Sequence, residues 1–329
     1  MRVLHVLNHS LPEVDGYSLR SAAILREQRS AGAEPVALTS PRSAADGDVA
    51  EEIDGSRYHR TARVAPSGLP LLRELREMAR LRRRIEWVAR EESVEVIHAH
   101  SPPLWGWAAR GAARRLGLPF VYEVRALWED AAVADGRAGI AGPRYQLSRA
   151  LETRVLRAAD VVVVICEALG REVRGRGLPE TDVVVVPNGV DAEAFLPRPR
   201  DAALAAELGL AFDSTVVGYI GSLRSWEGVG DLIRAAPALA RRFPKLSVVI
   251  VGDGDMRPQL EAAIHELGVS SLVRLVNAVR ATEVQRWYSL LDVVVYPRRQ
   301  SRLTELTTPL TRKIRKSRRR APPTRPEIC

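Results

Sequence analysis

Residues 215–252 read TVVGYIGSLRSWEGVGDLIRAAPALARRFPKLSVVIVG. A β-branched run at 215–221 leads through a loop into helix-spaced apolar residues over 228–242. A second β-branched run follows at 246–252. This is the pattern of a strand–helix–strand unit in a parallel sheet. Such strands are covered on both faces, so they read as continuous apolar runs instead of alternating ones.

The same alternation extends outward in both directions. Apolar runs recur at 2–7 (RVLHVL), 94–98 (VEVIH), 119–124 (PFVYEV), 160–165 (DVVVVI) and 182–187 (DVVVVP), then at 272–276 (LVRLV) and 292–297 (DVVVYP). Helical patterns separate them at 71–92, 105–116, 146–158, 256–267 and 281–290. The stretch Leu196-Pro197-Arg198-Pro199-Arg200-Asp201 carries two prolines that bar a regular helix or a central strand. The sequence therefore predicts an α/β protein of two Rossmann-like, doubly wound parallel-sheet domains, 1–196 and 197–306, with a disordered basic tail over 307–329. Open α/β sheets bind ligands at the carboxyl ends of their strands, so a cleft between two such domains is the expected site.

Composition narrows the class. The chain has 329 residues, 46% hydrophobic and 27% charged, which is ordinary for a folded protein and too large for a disulfide scaffold. Its net charge of +9 is concentrated: residues 306–329 hold eight basic residues against Glu327, a net of +7. The remaining +2 makes no overall electrostatic case for nucleic-acid binding, and none is expected. Two cysteines, Cys166 and Cys329, suit a reducing compartment. No signal-peptide pattern and no apolar run long enough to span a bilayer is evident, so a cytoplasmic location is expected.

Six segments could carry chemistry. The loop Asn8–Ser18 opens a helix near Leu19, and its Gly16 is compatible with a phosphate at a helix N-terminus or with a plain turn. His98-Ala99-His100-Ser101 ends a strand. As a metal site it lacks a cysteine or further histidine close by, so no metal is expected, and a hydrogen-bonding role facing the cleft or a packed strand end remains. Glu123–Asp130, with Arg125, gathers charge at a strand end, where a ligand or a surface ion-pair cluster accounts for it equally. Pro187-Asn188-Gly189-Val190-Asp191 is a tight turn. Gly221–Gly228 leaves a buried strand and opens a helix, so its N–H groups, the helix dipole and Arg224 suit a diphosphate. Arg298–Glu305, with Arg298, Arg302 and Glu305, pairs guanidinium groups for phosphate with a carboxylate for sugar hydroxyls.

Five pieces in order, VVVICEAL, VVVVPNGVDAEAF, VVGYIGSL, VVIVGDGDMRPQLEAAIHELG and EVQRWYSLLDVVVYPR, resemble the family-four retaining glycosyltransferases of the GT-B fold, over roughly residues 1–310. Within that family VYEVRALWED resembles the exopolysaccharide and lipid-linked oligosaccharide transferases. The resemblance implies transfer of a sugar from a nucleotide-diphosphate donor, UDP- or GDP-linked, to a glycan or lipid-linked acceptor, with retention of configuration and no metal or other cofactor. It places Gly16 and Gly221 beside the donor diphosphate, Arg224 as the base that offsets leaving-group charge, and Glu305 as the first of two donor-contacting glutamates. His100 and Arg125 would line the acceptor side. Glu227 stands where the family usually has lysine and would repel a diphosphate, a charge that Arg298, Arg299 or Arg302 is placed to compensate.

Asp15-Gly16 also replaces the family's usual glycine pair. After Glu305 the expected second glutamate and two further strands do not follow. Two of the three lysines fall in this last stretch, Lys313 and Lys316. A shift of reading frame near Thr307, and hence a truncated and unstable second domain, is the expectation. A basic tail that touches a membrane surface from its inner face, or a nucleic-acid arm, is the alternative account of the same residues, and a catalytically inactive remnant is the alternative for the whole chain.

Overall fold

The computed structural model describes residues 1–308 apart from 44–46, 67, 69, 137, 138, 141, 192, 194 and 281. The tail expected at 307–329 lies outside these from residue 309 onward. The chain forms two compact units, one of Met1–Asn188 with Ser301–Thr308, the other containing Gly189–Gln300.

The first unit runs β1 (Arg2–Leu7), α1 (Gly16–Ser30), β2 (Glu34–Thr39), β3 (Ala50–Ile53), β4 (Ser56–His59), α2 (Pro70–Glu91), β5 (Val96–His100), α3 (Pro103–Leu116), β6 (Phe120–Val124), α4 (Trp128–Ala134), α5 (Pro143–Leu156), β7 (Val161–Val164), α6 (Glu167–Arg174) and β8 (Val183–Val185). Its eight strands lie in the order β3-β4-β2-β1-β5-β6-β7-β8. All neighbours are parallel except β3 and β4. The strands beneath α2, α3, α5 and α6 share one apolar core, in which Leu4, Ile85, Ile97, Trp105 and Val162 have no exposed surface.

The second unit runs α7 (Ala202–Glu207), β9 (Thr215–Ile220), α8 (Val229–Arg242), β10 (Leu246–Val251), α9 (Arg257–Glu266), β11 (Val273–Val276), α10 (Val284–Leu290) and β12 (Val293–Val294). Its parallel sheet has the order β11-β10-β9-β12. Cores lie on both faces, one around Ile233 and Val248, the other around Val249 and Leu291. The final α11 (Arg302–Leu306) belongs to the first unit.

Three strands escape the sequence pattern. β2 carries Pro35, which reads as a strand breaker, and β3 and β4 (AEEI, SRYH) contain one β-branched residue between them. The unit boundary also differs from the expected one. The two-proline stretch at 196–201 lies inside the second unit, and residues 301–306, expected in the second domain, join the first. Side chains explain the return: Leu303 is buried, Cys166 Sγ donates to the Leu306 carbonyl at 3.2 Å, and Arg302 reaches Asp130 at 3.1 Å and Glu172 at 2.6 Å.

A buried ion pair supports the same helices. Arg176 Nη2 lies 2.6 Å from Glu129 Oε1, and their side chains are 2% and 0% exposed. Removing one partner strands a buried charge, so Arg176→Ala should destabilise the protein by about 3–5 kcal/mol, whereas Arg176→Met with Glu129→Gln should recover most of the loss. Urea unfolding of the two variants checks this, and equal loss in both would contradict it.

Candidate functional site

In the first unit the chemistry gathers at the carboxyl ends of β1, β5 and β6. β1 and β5 are neighbours with His5 opposite His98, and β5 and β6 pair His100 with Glu123. These contacts place His5, His98 and His100 with ligand atoms within 4.8 Å of one another. The expectation that no further histidine lies near His98 and His100 is thereby corrected; the missed signal was the alignment of two adjacent strands, which spacing along the chain does not show.

The ring tautomers follow from Arg125, which can only donate. Its Nη2 lies 2.8 Å from His100 Nδ1, so that nitrogen accepts. His100 Nε2 then donates to His5 Nδ1 at 2.9 Å, and His5 Nε2 donates to Gln28 Oε1 at 2.7 Å. The chain is neutral throughout. Burial, with the neighbouring His98, pulls His5 down to about 3, and burial holds His100 well below the usual imidazole value. A cation would need lone pairs that these hydrogen bonds use, beside a guanidinium that repels it, so the cluster reads as a hydrogen-bonded relay. His98 Nε2 makes no hydrogen bond and lies 3.5 Å from Glu123 Oε2.

Arg125 commits four of its five N–H groups: to His100, to Glu123 Oε1 at 3.0 Å, to the Tyr17 carbonyl at 2.9 Å and to Ser21 Oγ at 3.0 Å. Arg20, which the sequence did not single out, reaches the same Glu123 oxygen at 3.0 Å and also Asn188 Oδ1 at 2.6 Å. Burial works against the Glu123 carboxylate, but with the histidines neutral the Arg125 guanidinium beside it holds it well below the usual range. His100, expected to line the acceptor side, has no exposed surface, and both ring nitrogens are engaged. The structure therefore makes His100 and Arg125 residues that position the loop Asn8–Tyr17 and helix α1.

That loop ends on Asp15, whose Oδ1 accepts from Ser18 N at 2.8 Å and whose Oδ2 meets His9 Nε2 at 2.8 Å. Gly16 is the first residue of α1. The carboxylate in place of the family's first glycine thus caps the helix end where an anion was expected.

In the second unit the loop after β9 is pinned from below. Gly221 N donates to the Val251 carbonyl at 3.0 Å, and Leu223 N to the Asp253 carbonyl at 2.9 Å. Gly228, with φ +69°, opens α8, and a Cβ there would sit 2.0 Å from the Pro297 carbonyl oxygen, so only glycine fits. Arg224 is 42% exposed on its side chain, pairs with the exposed Asp255, and lies 6.0 Å from the Trp226 ring centre. Arg224, Ser225, Gly228, Gly230, Gln259 and Arg299 line a cavity of about 80 Å3. Arg298 Nε stands 3.4 Å from Glu227 Oε1, so Arg298 is the base that faces the anomalous carboxylate. Burial raises the Glu227 pKa, while the Arg298 guanidinium works the other way and favours the carboxylate it faces. Arg302 does not join it; it holds Asp130 and Glu172 in the first unit, where Glu305 is exposed on α11.

The Glycosyl transferase 4-like domain profile matches residues 15–189, more than half of the chain. The chain belongs to the glycosyl transferase 4-like family. A second profile, Glycosyl transferases group 1, matches residues 214–311. A D-inositol 3-phosphate glycosyltransferase of Kineococcus radiotolerans is 30% identical over 63% of this chain and 49% of its own length. A GDP-mannose-dependent alpha-mannosyltransferase of Mycobacterium tuberculosis is 28% identical over 90% of this chain and 72% of its own. The chain spans about half the length of the first of these relatives. Sucrose-phosphate synthase from Thermosynechococcus elongatus superposes with a TM-score of 0.69 at 18% identity, over 91% of this chain and 76% of its own. Anabaena HepE in complex with UDP gives 0.64 at 19% identity, over 91% and 74%. The fold of this family member is GT-B.

Neutral burial of the two histidines makes stability depend on acid. The unfolded chain binds protons on both below about pH 6.5, while in the folded chain His5 does not until about pH 3 and burial holds His100 well below its usual value, so stability is whole above 6.5 and is lost as pH falls below it. Thermal melts of the full chain should fall steadily from pH 7 to pH 4, with a shallower slope for His5→Gln. A slope unchanged by the substitution would contradict it.

Proposed function

We propose that this family member is a glycosyltransferase that moves a sugar from a nucleotide-diphosphate sugar to a glycan or lipid-linked acceptor, of the exopolysaccharide or lipid-linked oligosaccharide kind, with retention of configuration. The observation that carries the reading is Arg224, half-exposed on the Gly221–Gly228 loop that opens α8. Its partner Asp255 is 75% exposed, and such a surface pair is worth about 1 kcal/mol or less. A diphosphate, bearing more charge and lying against the helix N-terminus, displaces the aspartate.

As the bond from the anomeric carbon to the diphosphate breaks, negative charge builds on the leaving oxygens. Arg224 and the α8 N–H groups stabilise it, with Arg298 cancelling Glu227. Gly221 allows the backbone of this loop to approach the phosphates. His100 and Arg125 hold the acceptor-side loop in register. The acceptor hydroxyl attacks the anomeric carbon on the face that the diphosphate leaves, and its proton passes to the departing phosphate oxygen, so the step asks no side chain to act as nucleophile. The relatives' names, which mention GDP-mannose and UDP, support GDP- or UDP-linked donors.

The test is donor turnover by the full chain with UDP-glucose, GDP-mannose, ADP-glucose and dTDP-glucose. Release of nucleoside diphosphate is expected with one of them, reduced on the order of a hundredfold in Arg224→Ala, and the product anomer read by NMR should keep the donor's configuration. Silence with every donor would overturn the reading, and an inverted product would overturn retention.

A further inference from the structure

The loops after β9, β10 and β11 lie side by side at the carboxyl edge of the second sheet, whose order is β11-β10-β9-β12. Backbone bonds join the first two. Met256 N donates to the Leu223 carbonyl at 3.1 Å, answering the bond from Leu223 N to the Asp253 carbonyl. At Gly252, with φ +153°, a Cβ would sit 1.8 Å from the Gly221 carbonyl oxygen, so the two loops touch backbone to backbone. The loops after β10 and β11 instead part. Val251 pairs with Val276, and Gly252 N donates to the Val276 carbonyl at 3.1 Å, the last backbone bond between these strands among the described residues. Beyond it stand Asp253 on one side and Asn277 and Ala278 on the other, all exposed.

Arg257 closes this gap. It is the first residue of α9, and its side chain turns back over the edge of the sheet, where Nη2 donates to the Gly252 and Val276 carbonyls, both at 2.9 Å. Nη1 donates to Glu261 at 3.0 Å and Nε to Asp253 at 3.3 Å, so four of its five N–H groups are committed. The side chain is 18% exposed, whereas both carboxylates are largely in water and hold it weakly. The carbonyls are the contacts that matter. Gly252 is buried, and a carbonyl where a parallel ladder runs out has no backbone N–H above it, so the guanidinium supplies the donors of the missing rung.

This placement bears on the donor. In the transferase reading the diphosphate lies at Arg224 on the loop after β9, and the nucleoside extends along the sheet edge to one side of it. Toward β12, Arg298 and Arg299 are engaged with Glu227 and Asp231. Toward β10 and β11 stand the exposed Asp253 and Asn277, an acceptor and an amide suited to ribose hydroxyls and base edges. We infer that Arg257 is a positioning residue for the nucleoside half of the donor: by bonding the Gly252 and Val276 carbonyls it sets the gap between the loops on which ribose and base rest. The inference rests on the transferase reading, and it concerns how tightly the nucleoside is held, separately from the charge that Arg224 offers the phosphates.

Calorimetric titration of the full chain with UDP, GDP, ADP and dTDP, and separately with inorganic pyrophosphate, tests it. One nucleoside diphosphate should bind the parent. Arg257→Ala should weaken that nucleotide roughly tenfold, because loss of a charged hydrogen bond lowers by about that factor the fraction of loops at the competent spacing. Pyrophosphate, which needs only the loop of Arg224, should bind this variant as it binds the parent. Arg257→Lys, which keeps a charged donor within reach of the carbonyls, should recover part of the loss. Equal weakening of nucleotide and pyrophosphate would mean that the residue supports the fold alone and would overturn the inference, as would a variant that binds the nucleotide like the parent or a lysine no better than alanine. A parent that binds pyrophosphate and none of the four nucleotides would overturn the transferase reading and this inference with it.

Discussion

Glu123 is 1% exposed, and its charge is tolerable there because Arg20 and Arg125 both reach Oε1 at 3.0 Å. A lone carboxylate at that depth would cost several kcal/mol, so each guanidinium is fixed by the need to compensate it. Their remaining donors then fix everything else. Arg125 holds the carbonyl of Tyr17, the hydroxyl of Ser21 and the ring of His100, while Arg20 holds Asn188. One buried charge thus joins α1, two strand ends and the last turn of the unit, and sets the histidine tautomers as far as Gln28.

Much of this was legible in the sequence, and the exceptions have physical causes. The nine β-branched runs became strands because continuous burial leaves a continuous apolar signature. β2, β3 and β4 left none, since an edge hairpin and a proline-bearing strand need no such run. Arg125 and Arg224 stood out because charge at a strand end is conspicuous. His5 and Arg20 did not, because their significance arises from strand pairing and from a contact 103 residues away. Arg302 shows the reverse error: its place next to Arg298 along the chain suggested a shared duty, but the chain turns at Ser301 and carries it to Asp130 and Glu172.

Net charge is blind for a related reason. A sum over residues discards position, and a value near zero is equally compatible with mixed surfaces and with opposed ones. Burial then changes the sum itself, since Glu152 on α5 is pushed up to about 8 by burial and by Glu129, and at neutral pH its carboxyl is largely uncharged. The folded chain is therefore slightly more positive than its composition states.

The two units treat arginine in opposite ways, and the contrast bears on what each can do. Arg20 and Arg125 are 10% and 9% exposed on their side chains and are held by several partners at once, so exchanging any of these for a ligand would leave Glu123 unpaired. Arg224 is 42% exposed and shares a single carboxylate that is itself in water. A buried, multiply bonded guanidinium stores geometry, whereas an exposed and weakly paired one is available to an incoming anion. Arg298 lies between these cases, its side chain 13% exposed beside Glu227, near enough to neutralise that carboxylate without being drawn away from it. The preorganised network and the available cation are separate devices, so a substitution in the first should move loop geometry and stability together, and one in the second should move anion affinity alone.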